Sequence, residues 1–498
     1  MSYFNISKCS IALNILLLFI TAPPLYSEIS LGNDVVEWTL DNGMHFICLP
    51  RHQSPVFTAY IRFRVGGVDE HPGITGLAHF FEHMAFKGTQ HIGTTDYKKE
   101  KPILEKIYQL ASKMDEARKN NDDTSVKELR RQIESLYIEE KKFIIKDELW
   151  SAYMKHGSLG LNASTGKDMT SYYVSLPSNK LELWALLESD RMLSPVFREF
   201  HLERDVIREE RRMRTDNDPG GKLYEAMLAA SFEAHPYRLP VIGWESDISF
   251  LTVDEASKFF RTYYVPSNCT IVLSGDIDVG QLKRLSKSYF GRIPSMPRPP
   301  GVRTEEPPQD GIRRRVINFD AEPRVMMAWH KPVFPHPDAV ALEVLSEILS
   351  DGLSSRLYKR MVVNDKIATS VYTYEFPGER YPNLFIFFAS PVSVDAISSI
   401  EKSFDEELDN IKKHGVRERE LEKIKNNQKS EFIKSLRSND DMADLISYYA
   451  CVTGDWKNML LLLEERERVT SDDIKRVSLK YFNDDNKTVV ILKRGEKK

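Results

Sequence analysis

The sequence predicts an α+β protein of two similar domains, each a mainly antiparallel sheet with helices packed on one face, plus a helical hairpin inserted in the first domain. Three observations lead there: strand-like and helical stretches alternate along the chain, the second half repeats the first, and a proline-rich stretch separates them. A length of 498 residues suits two to four domains. With 41% hydrophobic and 29% charged residues the balance is globular, which excludes a disordered or collagen-like chain. Lys+Arg number 69 and Asp+Glu 73, a net charge of −4, which argues against a dedicated nucleic-acid binder.

Residues 1–27 read as a signal peptide. Lys8 is their only charged side chain, the apolar run 9–22 follows it, and Pro23, Pro24 and the small Ser27 precede Glu28. The run is shorter than the ~20 residues needed to span a bilayer, and no LxxC lipobox accompanies it. The mature protein is therefore expected to be exported, periplasmic or secreted, with no membrane span. Cleavage removes Cys9 and leaves Cys48, Cys269 and Cys451. An odd, scattered set suits neither a disulfide framework nor a cysteine-based zinc site.

The first domain is expected over 28–292. Its opening strands flank Asn42-Gly43, the favoured pair for a two-residue hairpin turn. Within it, Ile103, Ile107, Leu110 and Met114 form one helical stripe, and Val126, Leu129, Ile133 and Leu136 a second, joined by the polar stretch 119–125. These predict a hairpin over 97–147 whose stripes pack on each other; a surface for a partner is the rival reading. Residues 293–308 hold six prolines in sixteen positions. Proline removes backbone donors and fixes φ, so 293–310 is the expected linker, with a second domain over 311–498. The halves align: Gly88 matches Gly352 at an offset of 264, and 197–205 match 416–424 at an offset of 219. The change of register places about 45 extra residues in the first half, and implies a first domain complete without the hairpin.

The chemistry concentrates at His79-Phe80-Phe81-Glu82-His83. Histidines at i and i+4 share a helix face and can both reach one metal ion, and Glu82 projects beside them as a base toward water. With 12 histidines in the chain, this HxxEH order should arise by chance only roughly 0.02 times. A catalytic zinc site needs a third protein ligand. The segment 201–214 supplies candidates: Glu203 and Glu210 lie seven apart on one face, with Val206 and Ile207 between them as the packing side. On spacing alone either Glu209 or Glu210 is the ligand.

These residues resemble the pitrilysin/insulinase family of inverted-motif zinc metallopeptidases, and within it the two-domain branch of the mitochondrial processing peptidase subunits and bacterial relatives. The resemblance covers nearly the whole mature chain. It rests on GLAHFFEHMAFKGT, LNASTGKDMTSYYVSLP, LESDRMLSPVFREFHLERDVIREERRMR and SDGLSSRLYKR. It implies Glu210 as the third zinc ligand, Glu203 as a group orienting a histidine, and Asn162–Ala163 on the edge strand to which a peptide substrate adds. It also exposes departures. Val362 and Thr369 stand where the family's substrate-gripping Arg and Tyr would be, and Glu343, Glu347 and Lys429 occupy the second half's counterparts of the ligand positions.

The reading is thus a secreted zinc metalloendopeptidase with one zinc ion held by His79, His83 and Glu210 and with Glu82 as base. The resemblance implies a chamber closed by two such chains, and the missing pair implies a heterodimer with a family partner that carries it. The alternative is a non-catalytic, peptide-holding or structural subunit of such a heterodimer; the intact motif argues against it.

Overall fold

A computed structural model describes residues 34–495. The signal-peptide reading of 1–27 lies outside them. The strands are β1 (Val36–Thr39), β2 (His45–Pro50), β3 (Val56–Phe63), β4 (Leu159–Thr165), β5 (Thr170–Pro177), β6 (Cys269–Gly275), β7 (Arg313–Asn318), β8 (Arg324–Lys331), β9 (Ala368–Phe376), β10 (Asn383–Pro391) and β11 (Lys487–Lys493). They form a six-stranded sheet in the order β1-β2-β6-β3-β5-β4 and a five-stranded sheet in the order β7-β11-β8-β10-β9. Without the extra β1 the two orders are the same: first, last, second, fourth, third. Each has one parallel pair, β2 with β6 and β7 with β11, and is antiparallel elsewhere. The sequence repeat is therefore a repeat of topology, and β4 and β9 are equivalent edge strands.

In β3, Phe57, Ala59, Ile61 and Phe63 point into the main core of the first half, where the motif helix (Leu77–Met84) and the helix Leu181–Leu193 cover them. The intervening Tyr60 faces the other way, as the period of two requires. That second face is not open. The helix Asn439–Thr453, from the second half, lays Met442, Ala443 and Ile446 on Ile47, Leu49, Tyr60 and Val272. The exchange is mutual: the helix Pro219–Ser231 of the first half sets Leu223, Ala226 and Met227 against Met326, Ala328, Leu384, Ile386 and Val490 of the second sheet. Helices of each half cover one face of its own sheet, and the opposite face takes a helix from the other half. Ion pairs cross the same seam: Arg380 with Asp69 at 3.0 Å, buried on both sides, and the buried Arg62 with the exposed Asp444.

One local expectation needs correction. The first turn is not a two-residue loop. Leu40 pairs with Met44 (N···O 2.9 Å), so Asp41, Asn42 and Gly43 all lie in the turn, and only Gly43 takes positive φ (93°). Asn42 is turned inward, where its side-chain amide donates to the carbonyls of Phe290 and Ile293 at 2.9 and 3.0 Å. A side chain with two buried acceptors elsewhere was not free to serve the tighter turn.

The helices of the hairpin, Tyr97–Lys119 and Asp123–Glu140, meet along Ile107, Ala111, Met114 and Ile133, and Asp122 caps the second through Ser125 N. Against the expectation that the domain is complete without it stand two buried ion pairs. Asp115 of the hairpin carries a bidentate pair with Arg204, at 2.8 and 3.2 Å, and Glu100 pairs with Arg198. All four side chains are buried. Removing one partner of such a pair strands the other charge, at a cost of about 3–5 kcal/mol.

Ile446→Ala, at the fully buried seam between the halves, should cost about 2–5 kcal/mol, read by chemical denaturation. A fragment ending at the linker would leave Ile47, Leu49, Tyr60 and Val272 uncovered, and should aggregate on size-exclusion chromatography. A monodisperse, folded fragment would show that the exchanged helix is dispensable.

Candidate metal centre

The motif helix runs only over Leu77–Met84, between Gly76 (φ 88°) and Gly88 (φ 91°). Leu77, Phe80, Phe81 and Met84 enter the core and leave His79, Glu82 and His83 facing a cleft. Gly76 offers no side chain as a cap. The buried Glu70 does so from upstream, its carboxylate accepting from Gly76 N at 2.8 Å and Ala78 N at 2.7 Å. Burial raises the Glu70 pKa to about 8 and these two N–H bonds oppose the rise; through them Glu70 anchors the helix that carries the motif.

The second contributor is the helix Phe200–Arg211. Phe200 and Ile207 pack into the core, and Arg204 and Arg211 are buried with partners. Val206 is 51% exposed and lines the cleft. The expectation that Val206 and Ile207 together form the packing side is thus half wrong. Successive helical residues turn by about 100°, and when Ile207 points inward Val206 points away.

The two helices bring three donors together. Glu210 Oε2 lies 3.7 Å from His79 Nε2 and 3.4 Å from His83 Nε2. Among the described residues, these three form the only group of His, Cys, Asp or Glu side chains close enough to share a cation. Two imidazole nitrogens and one carboxylate oxygen, with the remaining side open to the cleft, match the donor set of a catalytic zinc site. His79 Nδ1 is buried without a hydrogen-bond partner; its Nε2 is the nitrogen turned toward the other donors. Glu209 instead pairs with Arg212 at 2.6 Å and is half exposed.

A ring of charges holds this geometry. His83 Nδ1 lies 2.8 Å from Glu203 Oε1, so its Nε2 is left for the cleft. Lys87 Nζ reaches Glu203 Oε2 at 2.7 Å and Glu199 at 3.0 Å. Arg214 Nη1 engages Glu210 Oε1 at 3.0 Å, turning Oε2 toward the histidines. Burial, with His83 beside it, lowers the His79 pKa to about 4 and keeps that ring neutral. Burial also works against charge on His83, but Glu203 and Glu210 outweigh it and raise its pKa to about 9. Against its own burial, hydrogen bonds from His83 and Lys87 hold Glu203 below the usual range, and His83 does the same for Glu210. Burial raises the pKa of Glu82. Glu70, Lys87 and Arg214 were missed in the sequence. Lys87 and Arg214 carried a signal, since each lies four residues after a member of the site, within reach of it although Lys87 lies beyond the end of the motif helix and Arg214 in the π-helical turn Arg212–Asp216. Glu70 had none, because its contact depends on a loop.

The cleft holds about 1130 Å³, and its wall beyond Glu82 is the edge strand β4, with Asn162, Ala163, Ser164 and Thr165. Ala163 pairs with Tyr172 on one side. Its N–H is met by Asn162 Oδ1 at 2.9 Å. In the second half the counterparts are engaged otherwise: Glu343 with Arg466, and Glu347 with Gln428 at 2.5 Å. Val362 packs against the second core, while Thr369 donates to Ser390 O at 3.3 Å.

Comparison with known proteins places these features in a wider set. A family model described as insulinase (peptidase family M16) matches residues 47–106, and one described as the peptidase M16 inactive domain matches 251–428. The zinc protease PqqE of Helicobacter pylori is 28% identical over 462 residues, 91% of this chain and 92% of that protein. A crystal structure of a protease from Helicobacter pylori superposes with a TM-score of 0.77 at 28% identity, over 92% of this chain and 99% of the other. The periplasmic protease PqqL of Escherichia coli shares the fold, with a TM-score of 0.69 at 16% identity, over 93% of this chain but 48% of its own.

Glu210→Gln should strip zinc from the purified protein and Glu209→Gln should leave it, as measured by elemental analysis. The reverse result would move the ligand to Glu209.

Proposed function

We propose that this chain, which is similar to the insulinase, or M16, family of peptidases over residues 47–106 and 251–428, is an exported zinc-dependent endopeptidase that hydrolyses peptides in the cleft beside β4. The observation that carries the reading is the convergence of His79, His83 and Glu210 beside Glu82 and an open strand edge. A site that served structure alone would have no use for a base at its mouth. The family relatives named as zinc proteases support the same conclusion.

His79 Nε2, His83 Nε2 and a Glu210 oxygen would hold the zinc. Bound there, the ion supplies Lewis acidity that polarises the scissile carbonyl and eases ionisation of the attacking water. The rest is the work of the chain. Glu82 takes a proton from that water onto a carboxylate oxygen and returns it to the leaving amine nitrogen. Its partly buried setting raises its proton affinity, which suits a group that must both accept and release a proton. Glu203 and Lys87 keep His83 in one orientation, and Arg214 keeps Glu210 in another. A substrate strand lies along β4, where its carbonyl replaces Asn162 Oδ1 as acceptor for Ala163 N.

Export is inferred from residues 1–27. No described helix is long and apolar enough to cross a membrane. The partner reading rests on size and on the second half. One copy of this fold spans about half of the PqqL chain, and a second chain would complete a chamber of that size. Val362 and Thr369 supply neither a guanidinium nor a phenol to grip a substrate. We therefore assign the second chain to a family member that does, giving a heterodimer. A purely structural, non-catalytic role is disfavoured by the intact His79, Glu82, His83 and Glu210.

Glu82→Gln should retain zinc and lose at least ~10²-fold in peptide hydrolysis, followed with a quenched fluorescent peptide library. Near-normal turnover by the metal-loaded variant would sink the assignment of the base. The purified chain alone should be weakly active and should gain activity when its partner is added. Full activity as a homodimer, indifferent to any partner, would overturn the heterodimer.

A further inference from the structure

We propose that the inserted hairpin is a positioning element for the metal site: its first helix, Tyr97–Lys119, holds the motif helix and the glutamate-bearing helix at their working separation. The inference rests on His79, His83 and Glu210 as zinc ligands and extends that reading to a segment with no chemistry of its own.

Two buried acids on the hairpin helix make the connection. Glu100, in its first turn, binds Arg198 through Nε and Nη2. The same guanidinium donates to Lys87 O and Ile92 O at 3.2 Å each and to Thr89 O at 2.6 Å. It thereby grips the chain as it leaves the motif helix. The fit is tight, since a Cβ on Gly88 would stand 2.3 Å from Ile92 O and 3.1 Å from Arg198 Nη1. Asp115, four turns further along the hairpin helix, takes Arg204 in a two-point contact, and Arg204 also donates to Leu251 O at 2.9 Å. Arg204 directly follows Glu203, the partner of His83, and lies six residues before Glu210. Between these anchors Tyr108 Oη donates to Phe197 O at 2.9 Å, just ahead of the glutamate-bearing helix.

The fifteen residue steps from Glu100 to Asp115 span about 22 Å of helix. One end therefore fixes the exit of the motif helix, the other fixes the glutamate-bearing helix, and His83–Glu203–Lys87 bridges the two. Glu100, Arg198, Asp115 and Arg204 are each no more than 5% exposed. A buried pair of this kind leaves its partner uncompensated when broken, so the site would relax around it.

The test measures zinc affinity by chelator competition, independently of hydrolysis. Asp115→Asn should weaken zinc binding by at least ~10-fold, the size of effect seen when groups supporting metal ligands are removed. Asp115→Glu, which restores the carboxylate, should recover most of it. Asp338→Asn is the control for general destabilisation. Asp338 is buried in the second half among Arg476, Lys480 and Tyr481, and its loss should lower Tm without changing zinc affinity. Coupling is reciprocal, so zinc added to the unaltered protein should slow amide exchange within 100–116 of the hairpin. That readout holds even where Asp115→Asn does not fold. Unchanged affinity in folded Asp115→Asn, or hairpin exchange indifferent to zinc, would overturn the proposal. Absence of zinc binding by the unaltered protein would instead defeat the ligand assignment.

Discussion

Buried charge governs this molecule. The two helices that form the cleft are separated by more than a hundred residues, and neither is long. They meet because arginines beneath them, Arg198 and Arg204, are neutralised by acids on a third helix, and because Glu203 is shared between His83 and Lys87. Desolvating a guanidinium is costly unless a carboxylate meets it in good geometry. That requirement leaves few arrangements open to the backbone. Directional pairs also fix orientation in a way that apolar packing does not. The donors of the site are accordingly set by contacts that lie outside it.

The same constraint recurs between the halves. Arg380 from the second half meets Asp69, and the neighbouring Glu70 caps the motif helix. Adjacent residues thus tie the N-terminus of the motif helix to the second sheet. With the exchanged helices on both sheets, the halves interlock, and the proline-rich segment 293–310 joins them. Among its described residues the second half bears no counterpart of the metal site, and its helix Asn439–Thr453 covers the far face of the first sheet.

Much of this was legible in the sequence, for definite reasons. The α+β class and the repeat were readable because strands and helices carry different hydrophobic periods, and because Gly88 and Gly352 mark equivalent helix ends. The hairpin seam through Ile107, Met114 and Ile133 was readable from a 3-4 stripe. What covers the far face of each sheet was not. Periodicity reports that Ile47 and Val272 are buried, but not that Met442 and Ile446, some 170 to 400 residues away, bury them. At the site, HxxEH showed itself because three functional side chains fall within five residues. Glu209 and Glu210 could not be separated by spacing, since the choice depends on which neighbour, Val206 or Ile207, faces the core. The inward turn of Asn42 and the arginine–acid pairs of the hairpin were hidden for the same reason: each depends on a partner distant in the chain.

The central claim is that two histidines and one carboxylate from these helices form a zinc site. The most direct measurement is zinc K-edge X-ray absorption on the purified protein loaded with one equivalent of zinc. It should show a low-coordinate shell of nitrogen and oxygen at about 2.0–2.2 Å, with outer-shell scattering from two imidazoles and no sulfur. A sulfur shell, scattering from other than two imidazoles, or failure to retain stoichiometric zinc would contradict it.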